Sequence, residues 1–190
     1  MFLHKHILYV KGKIARGLGI IKKARKKLNP DTLLTLYYSF IYPHINYCLE
    51  VWGNSCNEKI DCILKIQKRC VRLLSGAEYR AHSDPLFKEK EILSIHKLYI
   101  MKALCFTHKF LHYKLPSVFS TFFIYNSEIH DYSTRIKNRF RPPKARTTLR
   151  AKTLRFTAPK LANDYYNDVD FSQPFHPFKK HIHKLLLTRI

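Results

Sequence analysis

Ten cations and no acid occupy residues 135–160: Arg135, Lys137, Arg139, Arg141, Lys144, Arg146, Arg150, Lys152, Arg155 and Lys160. Phe140 and Phe156 lie among them, and Tyr132 just before. Spacings near two and four on an irregular chain put charge on several sides. Cations interleaved with aromatics suit a string of phosphates whose bases can stack. Arg135, Arg139, Arg141, Arg146, Arg150 and Arg155 are therefore candidate phosphate contacts. Tyr132, Phe140 and Phe156 are candidate stacking residues. A solvated basic face or a disordered tail is the competing reading, but no acid dilutes the block. A second cluster, Lys22-Lys23-Ala24-Arg25-Lys26-Lys27, offers Lys22, Lys23 and Lys26 as contacts or as a nuclear import signal. It also reads as a solvated helix end, where the dipole favours cations. Arg69 and Arg72, on the outer side of a helix described below, complete the candidate set.

Other chemistry is poorly supplied. His4 and His6, like His181 and His183, stand two apart, and His108 and His112 four apart on one helix face. No Cys or carboxylate lies at ligand spacing from them, so ordinary surface or core histidines are expected, with no metal and no cofactor. There is no glycine-rich phosphate loop, no G-x-S-x-G and no H-E-x-x-H. Two-metal phosphoryl transfer needs clustered carboxylates. The one tight acidic group, Asp164, Asp168 and Asp170, has no metal-site pattern and is expected to cap or solubilise the tail. The chain is thus expected not to be an enzyme on its own. Five cysteines, an odd number without C-x-x-C, argue against a disulfide framework or a zinc ribbon. Reduced, mostly buried thiols in an intracellular protein are expected.

The 190 residues carry 35 Lys and Arg against 13 acids, a net charge of +22. Residues 1–30 hold nine cations and no acid, whereas 31–134 are close to neutral. Self-repulsion on this scale opposes compaction unless a polyanion relieves it. Nucleic acid is the first such partner to consider, and an anionic membrane surface the second. His4, Lys5 and His6 interrupt any signal peptide, so the chain is not expected to be secreted. Thr32 to Leu49 contains no Asp, Glu, Lys or Arg and is close to membrane-span length. Pro43, His44, Asn46 and several tyrosines make a buried soluble helix the better reading, so a membrane role is not expected.

The elements that must hold these residues are mainly helical. Leu3, Ile7, Val10, Ile14, Leu18 and Ile21 define one face of a helix over 3–28, which Gly12, Gly17 and Gly19 would break or pack closely against a neighbour. Asn29-Pro30-Asp31 reads as a helix start, with Asn29 as cap, and Pro43 as its stop or kink. Asn57 is expected to cap a helix with Ile60, Ile63, Leu64, Gln67, Cys70, Val71 and Leu74 inward and Arg69 and Arg72 outward, ending at Gly76. A short helix opens at Asp84-Pro85, and a buried one runs from 95 to 113 until Leu115-Pro116. Residues 117–175 are aromatic, basic and proline-punctuated, without a clean period. They read as extended chain and turns with room for short strands, before a final helix around Phe178, Ile182, Leu185 and Leu186. The expected architecture is a helical domain over 1–116 and a basic, aromatic, irregular module over 117–190.

Three stretches in order resemble one family. "LNPDTLLTLYYSFIYPHINYCLEVWG" at 28–53 is similar to the stretch after the palm of non-LTR, jockey-like retrotransposon reverse transcriptases. "LKIQKRCVRLLSGAEYRAHSDPLFKEKEILSIHKLYIMKALCFTHKFLH" at 64–112 resembles that family's Q-x-x-x-x-R-x-I helix, H-x-x-P-L-F and L-x-I-x-x-L-Y run. "HDYSTRIKNRFRPPKARTTLRAKTLRFTAPKLAND" at 130–164 resembles its later segment ending G-P-x-x-W-N, with Ala158 in place of the Gly and Ala162 in place of the Trp. The resemblance implies a thumb-like helical region and C-terminal extension that hold template RNA and the primer–template duplex. It also implies a palm, bearing the catalytic aspartates, that the chain lacks. RNA and RNA–DNA duplex are the partners it points to. The competing readings are an inert or protein-interacting remnant of a decayed element, and a basic membrane-associated protein.

Overall fold

Apolar residues at spacings of three and four cannot be buried by an extended chain, and here they close into helices. In a computed structural model describing residues 2–129, 132 and 135–189, the chain is mainly α. Among the described residues there are ten α-helices, two 3-10 turns and no strand. The chain divides into two compact units, Met1–Leu98 with Leu187–Ile190, and Tyr99–Leu186. No helix of the described residues is long and apolar enough to cross a membrane.

The first unit is built around α1 (Phe2–Ala24), which packs on α2 (Pro30–Phe40), α3 (Tyr42–Asn46) and α5 (Asn57–Leu74). The three glycines do not break α1. Gly12 and Gly19 face open space, whereas a Cβ on Gly17 would lie 2.9 Å from Ile41 Cγ1 and 3.0 Å from the Phe40 carbonyl. Gly17 therefore permits the helix crossing. α2 begins as its sequence dictates: the Asn29 side chain accepts a hydrogen bond from the Thr32 amide at 2.8 Å, with Pro30 in the first turn. It ends at Phe40, and Pro43 sits in the first turn of α3, where it costs no hydrogen bond. The chain turns through Cys48 in the left-handed region, φ 47°, into α4 (Leu49–Trp52). There Trp52 is buried and its indole N–H donates to the Tyr47 carbonyl at 2.8 Å.

Asn57 is the first residue of α5 and not its cap. Cys56 holds the cap position, without a side-chain hydrogen bond. Cys48 and Cys56 are also exposed and Cys62 is half-buried, so only Cys70 and Cys105 meet the expectation of buried thiols. Cys48 occupies a turn and Cys56 the extended residue ahead of α5, both outside the helices. Burial pushes the Cys70 thiol up to about 12, which keeps it protonated.

Ile60, Ile63, Cys70, Val71 and Leu74 of α5 enter the core as their spacing requires. Gln67 enters with them. Its amide nitrogen donates to the Tyr37 hydroxyl at 3.0 Å and to the Leu93 carbonyl at 2.9 Å, and its oxygen accepts from the Ile95 amide at 2.9 Å. Ile95 opens α7 (Ile95–Leu111), so Gln67 satisfies one of the amides that a helix start leaves without an intrahelical partner. α5 stops at Gly76, φ 65°, where the Ala77 amide reaches back to the Arg72 carbonyl. α6 (Asp84–Glu89) and α7 stop in the same way on side-chain-bearing residues, Glu91 at φ 52° and Tyr113 at φ 53°. The second of these stops falls before Leu115-Pro116.

The second unit keeps much of the expected irregular chain and adds one regular helix. Residues 117–175 contain 3-10 turns at Ser117–Phe122 and Asn126–Glu128, the single turn α8 (Thr148–Ala151) and the regular α9 (Leu154–Asp164). Instead of strands there is one isolated antiparallel bridge, Tyr125 to Phe140. α9 was hidden by Pro159, which removes one intrahelical hydrogen bond from its middle. It forms because Ala158 and Ala162 on its inner face pack into a cluster with Phe123 and Phe140. The final helix, α10 (Phe175–Thr188), buries Phe178, Ile182 and Leu186.

Replacing Gln67 with Leu would leave the Leu93 carbonyl, the Ile95 amide and the Tyr37 hydroxyl buried without their partner. We expect Gln67→Leu to destabilise the first unit by roughly 2–5 kcal/mol, read as a fall in urea midpoint at unchanged slope. A loss under about 1 kcal/mol would mean that the amide is not a required link.

Candidate nucleic-acid interface

A chain segment that is neither helix nor sheet must satisfy its backbone in other ways. Around the basic block, side-chain amides do so. The Asn163 side chain of α9 grips Phe140 on both sides. Its oxygen accepts from the Phe140 amide at 3.0 Å, and its nitrogen donates to the Phe140 carbonyl at 2.6 Å. The Asn126 amide nitrogen donates to the Ile136 carbonyl at 2.9 Å. Backbone bonds continue the pairing: Asn126 N–H to Arg139 at 3.0 Å, and Arg141 N–H to Ile124 at 2.7 Å. The stretches 124–127 and 136–141 are thereby tied into one platform on the aromatic cluster.

The candidate residues are distributed over both units. In the first, Lys22 and Lys23 lie in the last turn of α1, and they and Lys26 are exposed. Arg69 is exposed with its guanidinium 5.6 Å from the centre of the Tyr79 ring. Arg72 is half-buried and donates from Nε to the Ala81 carbonyl at 2.7 Å, a structural bond that ties α5 to the following loop. In the second unit Arg135, Arg146, Arg150 and Arg155 are exposed, and Arg139 and Arg141 half-buried. Arg139 stands over the Tyr166 ring at 5.3 Å and Arg155 over the Phe122 ring at 5.7 Å. Tyr132 is 79% exposed and Phe156 half-buried. Phe140 is 7% exposed and packs between Phe123 and Tyr125, so its ring is committed to the core and closed to a base. His130, Asp131, Ser133 and Thr134 of the HDYSTR run lie outside the described residues.

The sequence reading missed Asn163 and Asn126, which position the platform, and Phe122, Ile124 and Ile129. The last three line a concavity of about 150 Å³ together with Arg141, Lys144 and Arg155. The only signal for Asn163 was its place at the end of the third family-like stretch.

Among the described residues, no three His, Cys or carboxylate groups gather as a metal would require. His108 and His112 do share a helix face, and their rings stack at 4.1 Å. Each uses its Nε2 on a backbone carbonyl, His108 on Gln173 at 2.7 Å and His112 on Phe171 at 2.9 Å. They anchor the strap that leads into α10. His108 Nδ1 is buried without a hydrogen-bond partner, and burial lowers the basicity of this ring. Asp170 accepts from the amide and hydroxyl of Ser172, at 2.9 and 2.7 Å, and these bonds hold its carboxyl below the ordinary range.

Over 86 residues the chain is 26% identical to the probable RNA-directed DNA polymerase from transposon X-element of Drosophila melanogaster. That match covers 45% of this chain and 9% of the polymerase, so the chain spans a small part of the relative. The likeness relates it in sequence to a retrotransposon RNA-directed DNA polymerase. No protein-family model matches the chain. No solved structure matches it.

Two outcomes test this geometry. Asn163→Leu, which keeps the branched shape and removes both hydrogen bonds, should cost roughly 1–3 kcal/mol in urea denaturation. Asn163→Asp, which keeps only the acceptor, should fall between it and the wild type. A Leu variant as stable as the wild type would show that the platform does not need the clamp. For His108, a lowered folded-state basicity means that the unfolded chain takes up the proton first. Stability should therefore be fully present above the ordinary histidine value of about 6.5 and decline as pH falls below it. Melting temperatures from pH 7.5 to 5 should drop less steeply in His108→Gln than in the wild type. Equal slopes would exclude His108 as the source.

Proposed function

We propose that the chain is a non-catalytic, nucleic-acid-binding part of a retrotransposon RNA-directed DNA polymerase. It corresponds to the thumb-like helices and downstream segment of a jockey-like non-LTR element, and it binds RNA template or RNA–DNA duplex through phosphate contacts. One observation carries the reading. Arg135, Lys137, Lys144, Arg146, Arg150, Arg155 and Lys160 are all exposed, and none pairs with a carboxylate among the described residues. Cations that stabilised the fold would be paired or buried. These are held out on a satisfied backbone, which suits a polyanion whose counterions they displace. The likeness to the X-element polymerase supplies the class of polyanion.

A second reading gives the first unit a protein partner, such as a palm-bearing chain. Leu8, Tyr9, Tyr47 and Val51 are each more than half exposed, which is apolar surface beyond what folding needs. Contact with such a partner and contact with nucleic acid are compatible roles.

The test is a fluorescence-anisotropy titration against RNA, RNA–DNA hybrid and duplex DNA at several salt concentrations. If about six phosphates are engaged, log affinity should fall with log salt at a slope of about −4 to −5. Changing Arg135, Arg139, Arg146 and Arg150 together to Gln should flatten that slope. No binding at low salt from a folded, monodisperse sample would overturn the reading and leave the protein partner as the remaining role.

A further inference from the structure

The concavity of about 150 Å³ in the second unit has a mixed lining that a plain phosphate site does not need. Arg141, Lys144 and Arg155 supply charge. Phe122, Ile124 and Ile129 supply apolar wall, and Ile124 and Ile129 are 39% and 43% exposed. A single exposed isoleucine is ordinary, but two of them, an aromatic ring and three cations around one hollow differ from a solvated basic face. Pro142 and Pro143 also border the hollow and carry no amide donor. That wall can therefore offer a ligand shape and apolar contact but no backbone N–H. The geometry is held in advance of any ligand. The Arg141 backbone is fixed by its bond to Ile124, and that of Phe140 beside it by Asn163. Arg155 lies in the first turn of α9, over the Phe122 ring and 3.5 Å from the Thr121 carbonyl.

We propose that this hollow receives one unstacked nucleotide of a single-stranded RNA, with the phosphate among Arg141, Lys144 and Arg155 and the base against Phe122, Ile124 and Ile129. The proposal rests on the nucleic-acid reading above and narrows it from any polyanion to a single strand. A duplex keeps its bases stacked and paired and presents only phosphates and groove edges, so it could use the cations but not the apolar wall. A single strand can turn a base out onto such a wall. Because the proline side of the wall has no donor, recognition there is by stacking and shape, and tolerant of sequence.

The experiment uses the full chain with a labelled, unstructured twelve-nucleotide RNA and a twelve-base-pair RNA–DNA hybrid at one fixed salt concentration. Ile124→Ser with Ile129→Ser keeps every charge and removes apolar wall. It should weaken the single strand about tenfold, the scale of losing part of the apolar surface a base would cover, and leave the hybrid within about twofold. Lys144→Gln should weaken both. Equal loss on both ligands, or none on the single strand, overturns the pocket while leaving phosphate binding intact. Absence of binding by the wild type to either ligand overturns the underlying reading as well. If the double variant does not fold, photocrosslinking of wild-type chain to RNA carrying 5-iodouridine decides the matter. Adducts mapped to 121–129 or 141–144 are expected, and adducts confined to other segments overturn the pocket.

Discussion

A primary amide in an apolar interior costs a few kcal/mol unless both its ends are satisfied, and the first unit turns that cost into a positional constraint. Gln67 lies on the buried face of α5 with no exposure. To be satisfied it must find the Tyr37 hydroxyl on α2, the Leu93 carbonyl and the Ile95 amide together. Only one placement of α2, α5 and the start of α7 does so. Apolar packing alone tolerates small slides and rotations, because methyl groups do not specify their partners. The amide removes that freedom. Tyr37 follows from it: burial, the largest influence, pushes its phenol far above the ordinary value, so it stays a neutral hydroxyl available to Gln67.

The second unit uses the same chemistry for a different purpose. Its basic block runs through a chain without strands, so the ladder that would satisfy the backbone is missing. Asn163 and Asn126 replace it locally with side-chain amides. The aromatic cluster of Phe123 and Phe140 with Ala158 and Ala162 then gives the platform something to sit on. The small side chains at 158 and 162 matter here. α9 can approach the two rings closely because nothing larger than a methyl intervenes, and that approach brings Asn163 within reach of the Phe140 backbone. Arg155 lies over the Phe122 ring beside this cluster and Arg139 over Tyr166, whereas Arg135, Lys137, Arg146 and Arg150 are exposed.

Legibility followed the range of the forces involved. α2 and α5 were readable because period, a proline and a capping asparagine, or a terminal glycine, are local signals. The stop at Gly76 was readable for the same reason, while the equivalent stops at Glu91 and Tyr113 were not, since those residues do not favour a left-handed backbone. Gln67 was visible as a member of the apolar series, but its three partners lie 26 to 30 positions away in sequence. α9 was unreadable because Pro159 argues locally against a helix that tertiary burial nevertheless enforces. At the candidate interface the cations were legible as an acid-free block. Which aromatics faced inward was not. Phe140 and Tyr132 are both aromatic residues in or beside the basic block, and only the pairing of 124–127 with 136–141 decides that one is core and the other exposed.

The charge then acquires a structural meaning. A chain at +22 must fold against its own repulsion, which acts over about 8–10 Å at ordinary salt. Burying or pairing the cations would relieve part of it, yet the acids are too few, and ion pairs such as His82 with Asp84, Glu89 with Lys90 and Asp61 with His96 leave most cations exposed. The amide clamps and the aromatic cluster are instead made of groups that carry no charge. Repulsion between surface cations is then borne by a neutral framework, and changing the ionic surroundings alters the surface potential more than it alters the packing beneath. That separation suits the polyanion binding proposed above, because neutralising the surface would leave the geometry that presents it in place.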